Sequence, residues 1–283
     1  MGLFAVLPAM LAVSVLSGTM GIGVAFAAIP VLSLHGGDLV HAIQPVALCL
    51  NGVTALFSAL SFGRAGYVDW RRAGPLAAAM TLFAPVGSIA AQAAAPGLLW
   101  TLYFAAVGVV VYLLCAGRPK TASTPGAGAV LALSVPIAIF SSMLGVGPGF
   151  LVVPLLIVSG LSPRAAAGTS SVAVVPASFA ALLPHVSTAS PDIAFALPVV
   201  AVAAVGAWFG GRLASRSIPE HMLRILFIGL IVALALYKAF DLVQAKPMPS
   251  GMAARCGAIE SQIPSLGGCR PARPAEQGLS DAG

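Results

Sequence analysis

Two glycine clusters set in apolar sequence are the first chemical signal in this chain. Met20-Gly21-Ile22-Gly23, followed by Phe26 and Pro30, reappears as Leu144-Gly145-Val146-Gly147, followed by Phe150 and Pro154. Pro148 and Gly149 extend the second cluster. Glycines beside a proline are where a membrane helix breaks. A break inside the bilayer exposes backbone N–H groups and helix N-termini, and the positive end of the helix dipole binds anions. Gly21 and Gly23, and symmetrically Gly145, Gly147 and Gly149, are therefore candidate anion-facing residues. The competing account is close helix packing by small residues.

Polar side chains in the apolar spans complete the candidate set. Thr169, Ser170 and Ser171 can donate hydroxyl hydrogen bonds to an oxyanion, or bond to their own helix backbone instead. Gln44 and Asn51 are amides in an apolar span and need partners. His41 and His185 are expected near the membrane faces. Arg164 either guides an anion inward or only sets topology. All eight acidic residues fall in loops, at span ends or in the C-terminal tail, so no carboxylate stands mid-span to relay protons or hold a metal cation. No metal, cofactor or catalytic residue is expected. A serine hydrolase is disfavoured, because Ser171 and His185 on one helix would lie roughly 21 Å apart. No H-E-x-x-H motif occurs either.

The elements that must position these groups are membrane helices. Charged residues make up 8% of the chain and AVILMFWYC residues 59%, where soluble domains carry about 25% charge. Apolar runs over Ala73–Ala95, Leu98–Gly117, Ala165–Val186, Ile193–Leu213 and Met222–Val243 each approach the ~20 residues that cross a bilayer. Alternating strand patterns are missing. Ala25-Phe26-Ala27 resembles a signal-cleavage site, but no Lys or Arg precedes Arg64; the first segment is expected to be retained. Cys49 and Cys115 are read as packing residues, and Cys256 and Cys269 have no metal-ligand spacing.

The repeat extends beyond the glycines. Asp69 matches Asp192, Pro75 matches Pro198, Gly87 matches Gly210 and Pro96 matches Pro219, at an offset of about 124 residues. The chain thus reads as an all-α integral membrane protein of two homologous halves, 1–117 and 128–243. A linker, 118–127, joins them, and a disordered tail, 244–283, follows. Gly2–Leu34 as one helix would be roughly 50 Å long, so each half is expected to open with a broken or re-entrant glycine-rich segment and continue with three transmembrane helices. Loop charge decides orientation. Arg64, Arg71 and Arg72 follow the second segment of half one, whereas Arg212 and Arg216 flank the place after the third in half two. Inverted halves put these, with Arg118, Lys120 and Arg164, on the cytoplasmic face; Lys238 and Lys246 are mild counter-evidence. Trp70 and Trp100 suit interfacial anchoring.

The stretch from Gly145 through Phe150, Pro154, Leu155 and Leu156, then Gly160 to Ser171 with Gly168-Thr169-Ser170, resembles the sulfite exporter TauE/SafE family. Gly206–Ser217 is similar to its next motif, and the similarity covers about residues 7–243. Half one is the more degenerate copy: Val24 and Ala25 replace expected glycines, and Gln44-Pro45-Val46-Ala47 replaces Gly-Thr-Ser-Ser. The resemblance implies transport of sulfite, a sulfonate or a related organosulfur anion across a bacterial inner membrane. Inverted repeats with broken helices near the midplane are a pattern of secondary transporters. A passive anion channel of the same fold is the alternative reading, an intramembrane hydrolase a remote one. The expected partners are a small anionic substrate and the lipid bilayer, with no nucleic acid and a homodimer left open.

Overall fold

Apolar helix-formers dominate the chain, and helices follow wherever glycine does not interrupt them. The computed structural model describes residues 3–33, 39–95, 97–99, 126–187 and 193–216, with isolated positions between 101 and 108 and between 219 and 240. Among these there is no strand. The helices are α1 (Leu3–Met20), α2 (Ala25–Ser33), a π-helical turn (Leu39–Ile43), α3 (Gln44–Arg64), α4 (Trp70–Ala93), α5 (Ala127–Met143), α6 (Gly149–Val158), α7 (Pro163–Leu182, continued by a 3₁₀ turn to His185) and α8 (Ile193–Arg216). The chain divides into a unit of residues 1–238 and a C-terminal unit, 239–283, of which only Phe240 is described. The apolar runs Leu98–Gly117 and Met222–Val243 are described only at scattered helical positions. Pro96, Trp100, Cys115, linker residues 118–125, Asp192 and the tail from 244 lie outside the described residues.

Four described helices are long and apolar enough to cross a membrane: Leu39–Arg64, Trp70–Ala93, Pro163–His185 and Ile193–Arg216. Polar residues at their ends stop and start them. Asp69 caps α4, its carboxylate accepting from the Arg71 and Arg72 N–H groups at 3.1 and 3.4 Å. Ser162 caps α7 by accepting from Ala165 N–H, and Pro163 supplies the pre-set first turn. Trp70 is 67% exposed at the start of α4, the position an interfacial anchor needs.

Small residues set the packing, because van der Waals fit is the main attraction between helices in lipid. α1 lies on α8, where a Cβ added at Gly210 would overlap the Val15 carbonyl and crowd Thr19 N. α5 lies on α4, where a Cβ at Gly87 would overlap the Ile139 carbonyl and crowd Met143 N. Val15 and Ile139, like Thr19 and Met143, are separated by the same ~124-residue offset as the sequence repeat. Gly18, near the middle of the first apolar segment, stays inside α1 and packs on the Ala207 backbone.

Helix directions follow from residue contacts. On α3, Asn51 and Gly52 meet Ser178 and Phe179 of α7, while Phe62 meets Gly168. The pair α3–α7 therefore runs antiparallel. α4 runs along α7 in the same sense, from Asp69 N–H on the Thr169 hydroxyl to Gln92 Nε2 on the Pro184 carbonyl. Leaving α1, the chain doubles back along α3: Gly18 faces Ser58, Val24 faces Thr54 and Ala25 faces Asn51.

Candidate functional site

Both apolar segments that contain a glycine cluster are interrupted at it. α1 ends at Met20 and α2 begins at Ala25, while α5 ends at Met143 and α6 begins at Gly149. Gly21 and Gly23 have φ of +63° and +74°, and Gly145 and Gly147 have +70° and +74°. Any other residue would be strained in that region. At the second turn, Gly145 N–H bonds to Ser142 O and Val146 N–H to Ser141 O, both at 3.0 Å. That is the paired bond pattern that closes a helix on a left-handed glycine.

The turns meet at Asn51, half-way along the apolar helix Leu39–Arg64 and fully buried. A Cβ at Gly23 would overlap Asn51 Oδ1, and one at Gly147 would overlap Asn51 Nδ2. The backbones also touch directly, since a Cβ at Gly149 would overlap the Ile22 carbonyl. Gly149 itself has no positive φ; it is there for close approach. Gln44 packs against Gly145, and Ser171 lies over Gly21. Of the ten candidate residues, eight gather here: Gly21, Gly23, Gln44, Asn51, Gly145, Gly147, Gly149 and Ser171.

The first turn is tied by side chains. Asn51 Oδ1 accepts from Ala25 N–H at 3.2 Å, and its Nδ2 donates to Ser178 Oγ at 2.8 Å. Thr54 Oγ1 accepts from Val24 N–H at 3.1 Å while donating to Leu50 O at 2.7 Å. Ser17 Oγ donates to the Gly23 carbonyl, and Ser171 Oγ bonds to its own helix at Ala167 O, 2.6 Å, with Gly21 O at 3.3 Å. Two side chains of α3 thus cap the start of α2, a role helix N-termini usually fill from their own strand of sequence.

The second turn is not tied in this way. α6 starts behind Pro148, with no side-chain cap. Gln44 Nε2 donates to Met143 O at 3.3 Å, but its Oε1 has no partner, and neither have the hydroxyls of Ser141 and Ser142 in the last turn of α5. All three residues are fully buried. No Lys, Arg, Asp or Glu occurs in α1, α2, α5 or α6, and α3 and α7 carry only Arg64 and Arg164 at their outer ends. Among the described residues, these helices offer neutral dipoles only around the turns.

The remaining candidates stand apart. Thr169 Oγ1 accepts from Asp69 N–H at 3.0 Å, so it holds the loop before α4. Ser170 is fully buried, and its hydroxyl has no partner. Arg164 Nη1 donates to Tyr67 Oη at 3.1 Å and stacks on that ring. His185, expected near a membrane face, is fully buried at the end of the 3₁₀ turn. The Gln92–Pro184 bond draws that turn against α4. Sequence reasoning passed over Ser17, Thr54, Ser141, Ser142 and Ser178. The repeat offset was a usable signal for one pair, since Ser17 and Ser141 stand in register.

A family model described as Sulfite exporter TauE/SafE matches residues 6–238. The chain belongs to this family. Neither curated proteins nor solved structures yield a match. Family membership implies transport of sulfite or a related anion across a membrane; members are transporters and not enzymes. With its long apolar helices, the chain is a multi-pass membrane protein. The comparisons lend no support to a homodimer.

Proposed function

We propose that this protein is a secondary transporter that carries sulfite, a sulfonate or a related small oxyanion across the bacterial inner membrane. The anion binds near the midplane at the second glycine turn, and the first turn serves as its braced counterpart. One observation carries this reading. Three side-chain oxygens beside the second turn, Gln44 Oε1, Ser141 Oγ and Ser142 Oγ, are buried without partners, while Ser17, Asn51, Thr54 and Ser171 beside the first turn all have one. An unmatched buried polar group costs about 1–3 kcal/mol, and a bound oxyanion relieves that cost for the hydroxyls and supplies the uncapped α6 with a counter-charge. The Ile22 backbone rests on Gly149, so the turns must separate for the α6 N-terminus to open to a ligand.

The same reading assigns residues 1–117 and 128–243 as inverted repeats, with 118–127 as linker and 244–283 as tail. Its support is reciprocity: α1 on α8 with α5 on α4, and α3 on α8 with α7 on α4. Equivalent helices α3 and α7 run antiparallel, as opposite insertion demands, and the loop charges agree.

The test is flux of labelled sulfite, sulfonates and carboxylates in proteoliposomes. Protein-dependent flux of a sulfur anion is expected; none for any anion in the panel would end the reading. Topology is tested separately. Single cysteines at Trp70 and Arg216, both exposed, should share one side of the membrane toward an impermeant thiol reagent.

A further inference from the structure

The second turn also says which ionic form of the anion it takes. We infer, on the reading above, that the bound species is a monoanion and, for sulfite, the protonated hydrogen-sulfite form, whose O–H is received by Gln44 Oε1.

Two independent observations lead there. The first is charge. Gln44, Asn51, Ser141, Ser142 and both glycine turns lie on helices whose only charged side chains are Arg64 and Arg164, at outer helix ends. The cost of taking an ion out of water rises with the square of its charge, so a dianion costs about four times what a monoanion costs. Neutral dipoles and one helix N-terminus match a single charge; a second would go uncompensated.

The second observation is the orphan acceptor. Gln44 is fully buried, and its amide is oriented by the Nε2 bond to Met143 O at 3.3 Å. That orientation leaves Oε1, an obligate acceptor, without a donor. A deprotonated oxyanion has nothing to give it and would face it with like partial charge. Hydrogen sulfite carries one O–H beside its charged oxygens. It can donate to Gln44 Oε1 while its charged oxygens accept from a hydroxyl in the last turn of α5, so one ligand can serve a donor and an acceptor that are both unmatched.

The experiment compares three anions in proteoliposomes, with protein-free vesicles as blank. Sulfite changes from monoanion to dianion near neutral pH, sulfate is a dianion throughout, and methanesulfonate is a monoanion without an O–H. Titratable groups on the elements around Gln44 are His41 on the π-helical turn, Cys49 and Arg64 on α3, and Arg164 and His185 at the two ends of α7 and its 3₁₀ extension; α2, α5 and α6 carry none. Their titration would alter methanesulfonate flux as well, so sulfite flux is read as a ratio to it.

The expected result is a sulfite-to-methanesulfonate ratio that falls roughly tenfold per pH unit above the ionisation of hydrogen sulfite, with sulfate not carried. Gln44→Met keeps the side-chain length and removes the acceptor. It should lower the ratio at acid pH about tenfold, the worth of one buried hydrogen bond. Because both fluxes come from one preparation, a partly misfolded variant does not distort the ratio. A ratio that holds steady or rises with pH, or sulfate flux equal to sulfite flux, overturns the monoanion assignment. An unchanged ratio in Gln44→Met overturns the role of Oε1. Absence of flux for every anion would instead refute the transport reading on which this rests.

Discussion

The two glycine turns are built from the same sequence pattern and meet at the same asparagine, yet they end in opposite hydrogen-bonding states. At the first turn α3 reaches across with Asn51 and Thr54 to cap α2, and Ser17 closes on Gly23. At the second turn Ser141, the counterpart of Ser17, is buried with nothing to bond, and α6 begins uncapped. Duplication supplies the scaffold twice. Divergence of a few polar residues then turns one copy into a brace and leaves the other with buried side-chain oxygens that have no partner.

Asn51→Leu should have the largest effect, because it breaks the brace of the first turn and disturbs the packing on the second. It leaves Ala25 N–H without its acceptor and presses a branched side chain onto Gly23 and Gly147. A loss of about 3–5 kcal/mol is expected from unmatched buried groups and overpacking. Thermal unfolding in detergent checks it; an unchanged Tm would show that the two turns do not depend on Asn51.

Next come Gly23→Ala and Gly147→Ala, which strain the turns equally. Both glycines have φ of +74° and both face Asn51. Each variant should lose at least the ~1–2 kcal/mol of a left-handed residue. Flux per folded molecule separates them: it should collapse in Gly147→Ala and largely survive in Gly23→Ala. Equal loss in both would mean that the turns act as one unit.

Ser17→Ala against Ser141→Ala sharpens the contrast at smaller amplitude. Removing the Ser17 hydroxyl deletes a made hydrogen bond and should cost about 1 kcal/mol of stability with little effect on apparent substrate affinity. Removing the unpartnered Ser141 hydroxyl should leave stability unchanged or slightly raised, and weaken apparent affinity by about 0.5–1.5 kcal/mol. Tm and KM measured on the same two preparations test the crossover; matched behaviour would erase the distinction.

The smallest effect is expected at Thr169→Val. Its hydroxyl serves Asp69 N–H and not the turns, so stability should fall by about 0.5–1.5 kcal/mol while KM holds. A raised KM at unaltered Tm would return Thr169 to the substrate site.

By itself the sequence determined the membrane class, the helical content and the sites of the breaks. Those depend on local properties: apolar runs that exceed the bilayer need, and glycines that accept a positive φ where others cannot. The ~124-residue offset was equally readable, and it reappears in the paired contacts of Val15 and Ile139. The tertiary structure alone decided which polar groups are in use. Thr169, Ser170 and Ser171 are consecutive and chemically alike, yet one holds a loop, one has no partner, and one bonds to its own helix and approaches Gly21. Ser17 and Ser141 are register partners with opposite fates. A buried hydroxyl or amide takes its meaning from whatever donor or acceptor lies within about 3 Å. For Asn51 the partners are Ala25 and Ser178, on two other helices, and nothing in the residues beside it in the chain announces them.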